Sequence, residues 1–166
     1  SSVNRVDHFI ANSKYVARRI KKVYGRDSSV IYPPVDTNSF YTNRNKQDYY
    51  ITYSRLVPYK KIDLIAQAFS QMPDKKLIII GDGPEMNKVK ASSTRNIEIL
   101  GYRSNDEIKK HLAEAKAMIF AAEEDFGIVM AESLASGTPL IAFGKGASSE
   151  IIEEGKTGLK LLKSMK

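Results

Sequence analysis

Ala117-Met118-Ile119-Phe120-Ala121-Ala122-Glu123-Glu124-Asp125-Phe126-Gly127-Ile128-Val129-Met130-Ala131-Glu132 passes from an apolar run through three acids into a second apolar run. Ala117 to Ala121 has the length and apolarity of a buried strand. Three acids follow, then a nearly uncharged run through Ser133-Leu134-Ala135-Ser136-Gly137 that suits a helix, then a second strand over Pro139–Phe143. From Phe126 to Gly144 the only formal charge is Glu132. A helix that is apolar all round is expected to be buried. A lone buried carboxylate is costly without a donor. The segment itself offers only hydroxyls and backbone, so a ligand is expected to supply the donor to Glu132.

The same rhythm extends in both directions. Strands are expected at Tyr49–Ser54, Leu77–Ile80, Ile97–Leu100 and Leu159–Leu162. A helix is expected over Lys61–Met72 with Ile62, Ile65, Ala66 and Phe69 inward, and a short one over Ser148–Glu153. Gly81-Asp82-Gly83-Pro84 turns the chain, with Pro84 expected at the first helical position. Ser104-Asn105-Asp106-Glu107 is a capping box opening a helix to about Ala115. Alternating strands and helices predict an α/β, Rossmann-like parallel sheet with helices on both faces. Ahead of this, Val6–Ala11 and Val30–Tyr32 read as short strands. Between them Ser13 caps a helix from Lys14 to Tyr24, with Val16, Ile20, Val23 and Tyr24 on one face and Gly25 at its end. Arg18, Arg19, Lys21 and Lys22 fall mostly on the other face, which reads as solvated, with a membrane-facing or partner-facing patch as the alternative.

Bulk properties narrow the class. The 166 residues suit one domain with a real core, and 42% hydrophobic against 27% charged residues is ordinary for a soluble globular chain. There is no cysteine, so disulfides and thiolate metal sites are excluded. The net charge of +7 is uneven: residues 1–61 hold 12 Lys/Arg against 4 Asp/Glu, the remainder 14 against 15. The basic first third predicts an anionic partner on that side.

In an open parallel sheet, ligands bind beyond the carboxyl ends of the strands. The segments there carry Arg55 and Lys60, Gly81, Tyr102 and Arg103, Glu124 with Phe126, Gly127, Ile128 and Val129, and Gly144-Lys145-Gly146. Arg55 and Lys60 can grip phosphate. The amides of Phe126-Gly127-Ile128 at a helix start form a ready anion site. Glu132, about one turn further in, suits a vicinal diol such as a ribose. Other chemistries lack their residues. Met86 stands where a dinucleotide fingerprint needs its third glycine, and there is no Gly-Lys-Ser/Thr. There is no Asp-x-Asp, and His8 and His111 fit no metal spacing. The basic residues are not interleaved with aromatics as a nucleic-acid platform needs.

These motifs together resemble a known family. Glu124-Asp125-Phe126-Gly127-Ile128-Val129-Met130-Ala131-Glu132 is similar to the two-glutamate signature of retaining glycosyltransferases of family 4. Ser54-Arg55-Leu56-Val57-Pro58-Tyr59-Lys60, Gly81-Asp82-Gly83-Pro84, Glu150-Ile151-Ile152-Glu153-Glu154-Gly155 and Pro34-Val35-Asp36 with Phe40 fit it in order. The chain therefore resembles the C-terminal, donor-binding half of a GT-B enzyme, and more loosely the mannosyltransferases of the WbaZ kind. Two departures stand out: Ala121-Ala122 where many members have Pro-Ser, and Lys61 where many have glycine. Of the adjacent lysines, spacing from Arg55 favours Lys60.

The resemblance implies hexosyl transfer from a nucleotide-diphospho-sugar, GDP-mannose by choice, with retention and without a metal or other cofactor. It makes Arg55 and Lys60 the neutralisers of the diphosphate, and gives the amides of Ile128 and Val129 the phosphate nearer the nucleoside. Glu132 would take the ribose. Glu124, with the amides around Phe126 and Gly127, would orient the hexose. Tyr102 and Arg103 would lie beside the base, with Gly81 at the same rim. It implies a lead-in over residues 1–48, a donor domain over 49–166, and an N-terminal acceptor domain outside this sequence, without which the fragment would not turn over. The implied acceptor is a glycan or lipid-linked glycan at the cytoplasmic face of the membrane, with no nucleic acid partner. A non-catalytic nucleotide-binding relative and a GT-B-type epimerase are the alternatives.

Overall fold

The structure is a computed structural model and describes residues 5–161. Eight strands and six α-helices follow in order: β1 Ile10–Ala11, α1 Lys14–Tyr24, β2 Ser29–Val30, β3 Tyr50–Tyr53, α2 Ile62–Ser70, β4 Leu77–Ile80, α3 Met86–Ala91, β5 Ile97–Gly101, α4 Asn105–Glu114, β6 Ala117–Phe120, α5 Ile128–Ala135, β7 Leu140–Phe143, α6 Ser148–Ile151 and β8 Gly158–Leu161. Short 3₁₀ turns lie at Thr37–Ser39 and Pro58–Lys60. Six strands form one parallel sheet in the order β5-β4-β3-β6-β7-β8. The order reverses between β3 and β6. The loops leaving these two neighbours diverge to either side, which opens a crevice between them.

Alternation along each strand builds two cores. Leu77 and Ile79 of β4 pack with Leu56, Ile62, Ile65, Ala66, Phe69 and Val89 beneath α2 and α3. Ile78 and Ile80 pack with Ile51, Tyr53, Leu112, Met118, Met130 and Leu140 beneath α4 and α5. All four residues of β4 are buried, as expected for a central parallel strand. The inward set of α2 and the capping box of Ser104 and Glu107 are as the sequence predicts.

Several expectations are corrected. The early strands shrink to two residues each and pair only with one another. α1 buries none of its residues, and Val23 of its apolar stripe is 67% exposed. α3 begins at Met86 rather than Pro84, because Gly83 to Met86 forms a turn closed by Met86 N–H to Gly83 O at 3.1 Å. α5 is not fully buried: only Met130 and Ser133 are, and Ile128 is exposed. Leu162, placed in the last strand from the sequence, lies outside the described residues.

Residues ahead of β3 are tied to the sheet by Lys46. Its Nζ donates to Thr138 Oγ1 at 2.8 Å and to Ala113 O at 2.7 Å, and burial pushes its pKa down. Thr138 is itself buried and donates to Leu112 O.

Candidate functional site at the switch point

Because β3 and β6 are neighbours, side chains from the loops that leave their carboxyl ends can reach each other across the crevice. Lys60, ending the 3₁₀ turn after β3, forms an ion pair with Glu124, four residues past β6. Their side chains are 14% and 19% exposed. The Lys60 ammonium also lies 5.2 Å from the Tyr59 ring centre and 5.6 Å from that of Phe120. Lys61 takes no part. Its φ of 56° is the left-handed region, the only such non-glycine among the described residues, and its ammonium sits over Phe143 at 5.3 Å. The turn that starts α2 thus separates the two lysines.

Glu124 is fixed from behind. It bridges to Gly146, and its carbonyl accepts from Ala147 N–H at 2.8 Å. A Cβ at Gly146, φ 75°, would press into the Glu124 backbone, so glycine permits this approach. Next in the chain, Gly127 caps α5 with φ 76°. The amides of Ile128 and Val129 have no acceptor among the described residues, and they open the helix beside the ion pair. Arg55 is exposed, and its side chain makes no hydrogen bond or ion pair among the described residues.

Glu132 receives its donor from within the chain. The Tyr53 hydroxyl of β3 donates to its Oε2, which corrects the expectation that only a ligand could serve it. Burial, first, and the neighbouring carboxylate drive the Tyr53 pKa far upward, so the phenol stays a donor. Glu132 is half-buried and faces a cavity of about 310 Å³. Asp36, Ser39, Phe40, Asn105 and Lys109 share that lining. Sequence reasoning noted Asp36 and Phe40 only as part of the lead-in motif and placed none of the five at a site. Only the parity of β3 could have flagged Tyr53, since it points with Ile51 toward the α5 side.

The remaining candidates are spread along the rim. Gly81 packs so closely on the neighbouring strand that a Cβ would collide with the Ser54 carbonyl, so the structure accounts for this glycine by packing. Tyr102, after β5, is 78% exposed. Arg103 folds back to Tyr102 O at 2.7 Å and pairs with Glu107 at 3.6 Å. Two strands of the sheet separate them from β6. Phe126 stacks in tilted fashion on Tyr32, 6.1 Å between centroids. A second, apolar groove of about 330 Å³ lies between α2 and the β6–β8 face, with Tyr50, Leu64, Phe69, Ile119 and Phe143 in its wall and no carboxylate. Among the described residues no three His, Asp or Glu side chains gather as metal ligands, and no helix is long and apolar enough to cross a membrane.

Comparison with known proteins gives concordant matches. The family model described as glycosyl transferases group 1 matches residues 36–162. An uncharacterized glycosyltransferase of Methanocaldococcus jannaschii is 28% identical over 158 residues, 92% of this chain and 44% of that protein. The GDP-mannose-dependent alpha-(1-6)-phosphatidylinositol monomannoside mannosyltransferase of Mycobacterium tuberculosis is 27% identical over 89% of this chain and 46% of its own length. Among solved structures, Anabaena HepE in complex with UDP and glucose superposes with a TM-score of 0.79 at 26% identity, over 96% of this chain and 50% of that one. Staphylococcus aureus TarM shares the fold with a TM-score of 0.82 at 23% identity, over 96% of this chain and 34% of its own. The chain thus spans about half the length of the curated relatives it matches.

Proposed function

Because the chain belongs to the family of glycosyl transferases group 1, we propose that it binds the nucleotide-diphospho-sugar of a retaining, metal-independent hexosyl transfer of the family 4, GT-B type. The observation that carries this reading is the meeting of Lys60 and Glu124 at the switch point, beside the acceptor-free amides of Ile128 and Val129. One crevice then offers a cation for the diphosphate, amides for a phosphate and a carboxylate for the sugar. Arg55, whose guanidinium has no partner among the described residues, joins Lys60 on the leaving group. As the glycosidic bond breaks, negative charge grows on the diphosphate, and two cations there stabilise that state without a metal. Glu132, held by Tyr53, offers its other oxygen to the ribose, and the cavity it faces receives the nucleoside. Tyr102 and Arg103 flank the base.

We infer a donor domain over residues 49–166 and a lead-in over 1–48, with the acceptor, a glycan or lipid-linked glycan, bound by another part of the protein at the cytoplasmic membrane face. GDP-mannose is the donor proposed, supported by the GDP-mannose dependence of the mycobacterial relative. The UDP and glucose bound by HepE favour a UDP-hexose as the second reading. A thermal-shift panel of GDP-mannose, UDP-glucose, GDP and UDP on the full-length protein, with and without chelator, tests this. The expected result is stabilisation by one nucleotide series, unchanged by chelator and largely lost in Arg55→Ala and Lys60→Ala. Equal shifts in all three proteins, or none in the wild type, would refute it.

A further inference from the structure

The first helix and the acidic stretch, more than 90 positions apart in sequence, are clasped together through Glu150. The first amides of α1 have no helical partner. The Ser13 side chain accepts from Val16 N–H at 3.0 Å, and the helical ladder begins with Ala17 N–H to Ser13 O at 3.0 Å. The amides of Lys14 and Tyr15 find their partner outside the helix. Lys14 N–H donates to Glu150 Oε2 at 2.9 Å and Tyr15 N–H to Oε1 at 2.5 Å. Tyr32 O–H, just past β2, adds a third bond to the same carboxylate at 3.1 Å, and Arg18 stands 4.0 Å away. The Glu150 side chain is only 12% exposed. A negative charge at the positive end of a helix, met by three donors, is a strong local tie.

The tie does not stop at Glu150. The Tyr15 hydroxyl donates to Glu123, and Arg19 pairs with Asp125 at 2.8 Å. The Tyr32 ring lies against Phe126. These contacts hold the residues on either side of Glu124 and the one that follows. Glu150 belongs to α6, which opens directly after the Gly146–Ala147 segment that grips the Glu124 backbone. The loop bearing Glu124 is therefore held from below by 146–147 and from above by α1, and Glu150 joins the two holds. On the basic face of α1, Arg19 faces Asp125 of the loop, while Lys21 pairs locally with Asp27.

We propose that Glu150 is a positioning residue for the transfer reaction: by clasping the start of α1 and Tyr32 it fixes the 123–126 loop, so that Glu124 meets the donor sugar in its reactive orientation. The role rests on the donor reading above. It acts on the sugar, through Glu124, and not on the diphosphate, whose cations Arg55 and Lys60 come from the loop after β3. Loosening the clasp misplaces one reacting partner and leaves the nucleotide anchor in place.

The test uses full-length protein, with kcat for sugar transfer, Kd for the nucleoside diphosphate alone, and hydrogen exchange at the amides of 122–130. Glu150→Gln keeps the shape but turns an N–H₂ toward one helix amide. It is expected to lower kcat about 10- to 100-fold while Kd stays within about 2-fold, with faster exchange across 122–126 and unchanged exchange at Ile128 and Val129, whose amides serve the phosphate. Tyr32→Phe, which removes one donor from a half-exposed ring, is expected to act in the same direction but less, and carries the test if Glu150→Gln fails to fold. In the double variant kcat should fall no further than in Glu150→Gln alone, as for residues in one network. Normal kcat in both single variants overturns the proposal, as does a parallel loss of kcat and nucleotide affinity. A wild type that turns over while Glu150→Gln does too rejects only the positioning role. A wild type that binds no nucleoside diphosphate rejects the donor reading and this role with it.

Discussion

The pair of Lys60 and Glu124 makes one perturbation unusually informative. If Lys60 serves the donor diphosphate, the incoming phosphate must take it from Glu124. Glu124→Gln keeps the side-chain shape and removes the competitor. At an effective dielectric of 20, unit charges about 4 Å apart attract by about 4 kcal/mol. Much of that is offset by lost hydration, since both side chains are mostly but not wholly buried. A net value of about 1–2 kcal/mol is reasonable, between exposed pairs and buried ones. Removing the competition should then tighten nucleoside diphosphate binding by about 5- to 30-fold.

Isothermal titration of full-length wild type and Glu124→Gln with the nucleoside diphosphate, lacking the sugar, reads this directly. The gain should shrink at high salt, since its origin is a charge pair. Lys60→Met should bind weakly whether or not Glu124 is also changed. Sugar transfer should fall in Glu124→Gln even as the diphosphate binds more tightly, because the carboxylate that orients the hexose is gone. Equal or weaker diphosphate binding by Glu124→Gln would show that the phosphate does not recruit Lys60, and the leaving-group assignment would fall with it.

Three further outcomes are expected. Lys61→Gly should raise stability by about 0.5–1 kcal/mol in urea unfolding, because the left-handed strain of φ 56° exceeds the added entropy of glycine; a loss of stability would mean that the Lys61–Phe143 contact outweighs the strain. Gly81→Ala should cost about 3 kcal/mol or more, since its methyl meets the Ser54 carbonyl on the next strand, and a near-normal melting temperature would contradict that packing. Glu107 accepts from the Ser104 amide and hydroxyl, which holds its carboxyl below the ordinary value of 4.5. A depressed folded pKa contributes stability above 4.5 that is lost as pH falls through the folded value, so the stability gap between wild type and Glu107→Ala should be constant near neutral pH and narrow in acid.

What the sequence showed and what it hid follow from the range of the interactions involved. Leu77 to Ile80 announced a central strand because burial on both faces is written in four consecutive residues. The Ser104–Glu107 box announced α4 because its bonds span three residues. The alternation of such local signals was enough for the parallel sheet, and the rule that ligands sit beyond strand ends brought Arg55, Lys60, Glu124 and Glu132 to one rim. Partnerships across the sheet were not legible. Tyr53 serves Glu132 from 79 positions away, and Lys60 reaches Glu124 over 64, and both meetings depend on β3 lying beside β6 rather than on any spacing. The basic helix shows the same limit from the other side. Read alone, Arg18 and Arg19 are charges on a solvated face. Their partners, Glu150 in α6 and Asp125 in the loop after β6, are brought around to them by the sheet order. A carboxylate expected to wait for a ligand thus holds a tyrosine, and a helix face read as solvated holds the loop of the candidate site. Where the chain already supplies a partner, as Glu124 does for Lys60, ligand binding becomes an exchange of partners. The variants at Glu124 and Glu150 separate the two sides of that exchange: one frees the cation, the other frees the loop.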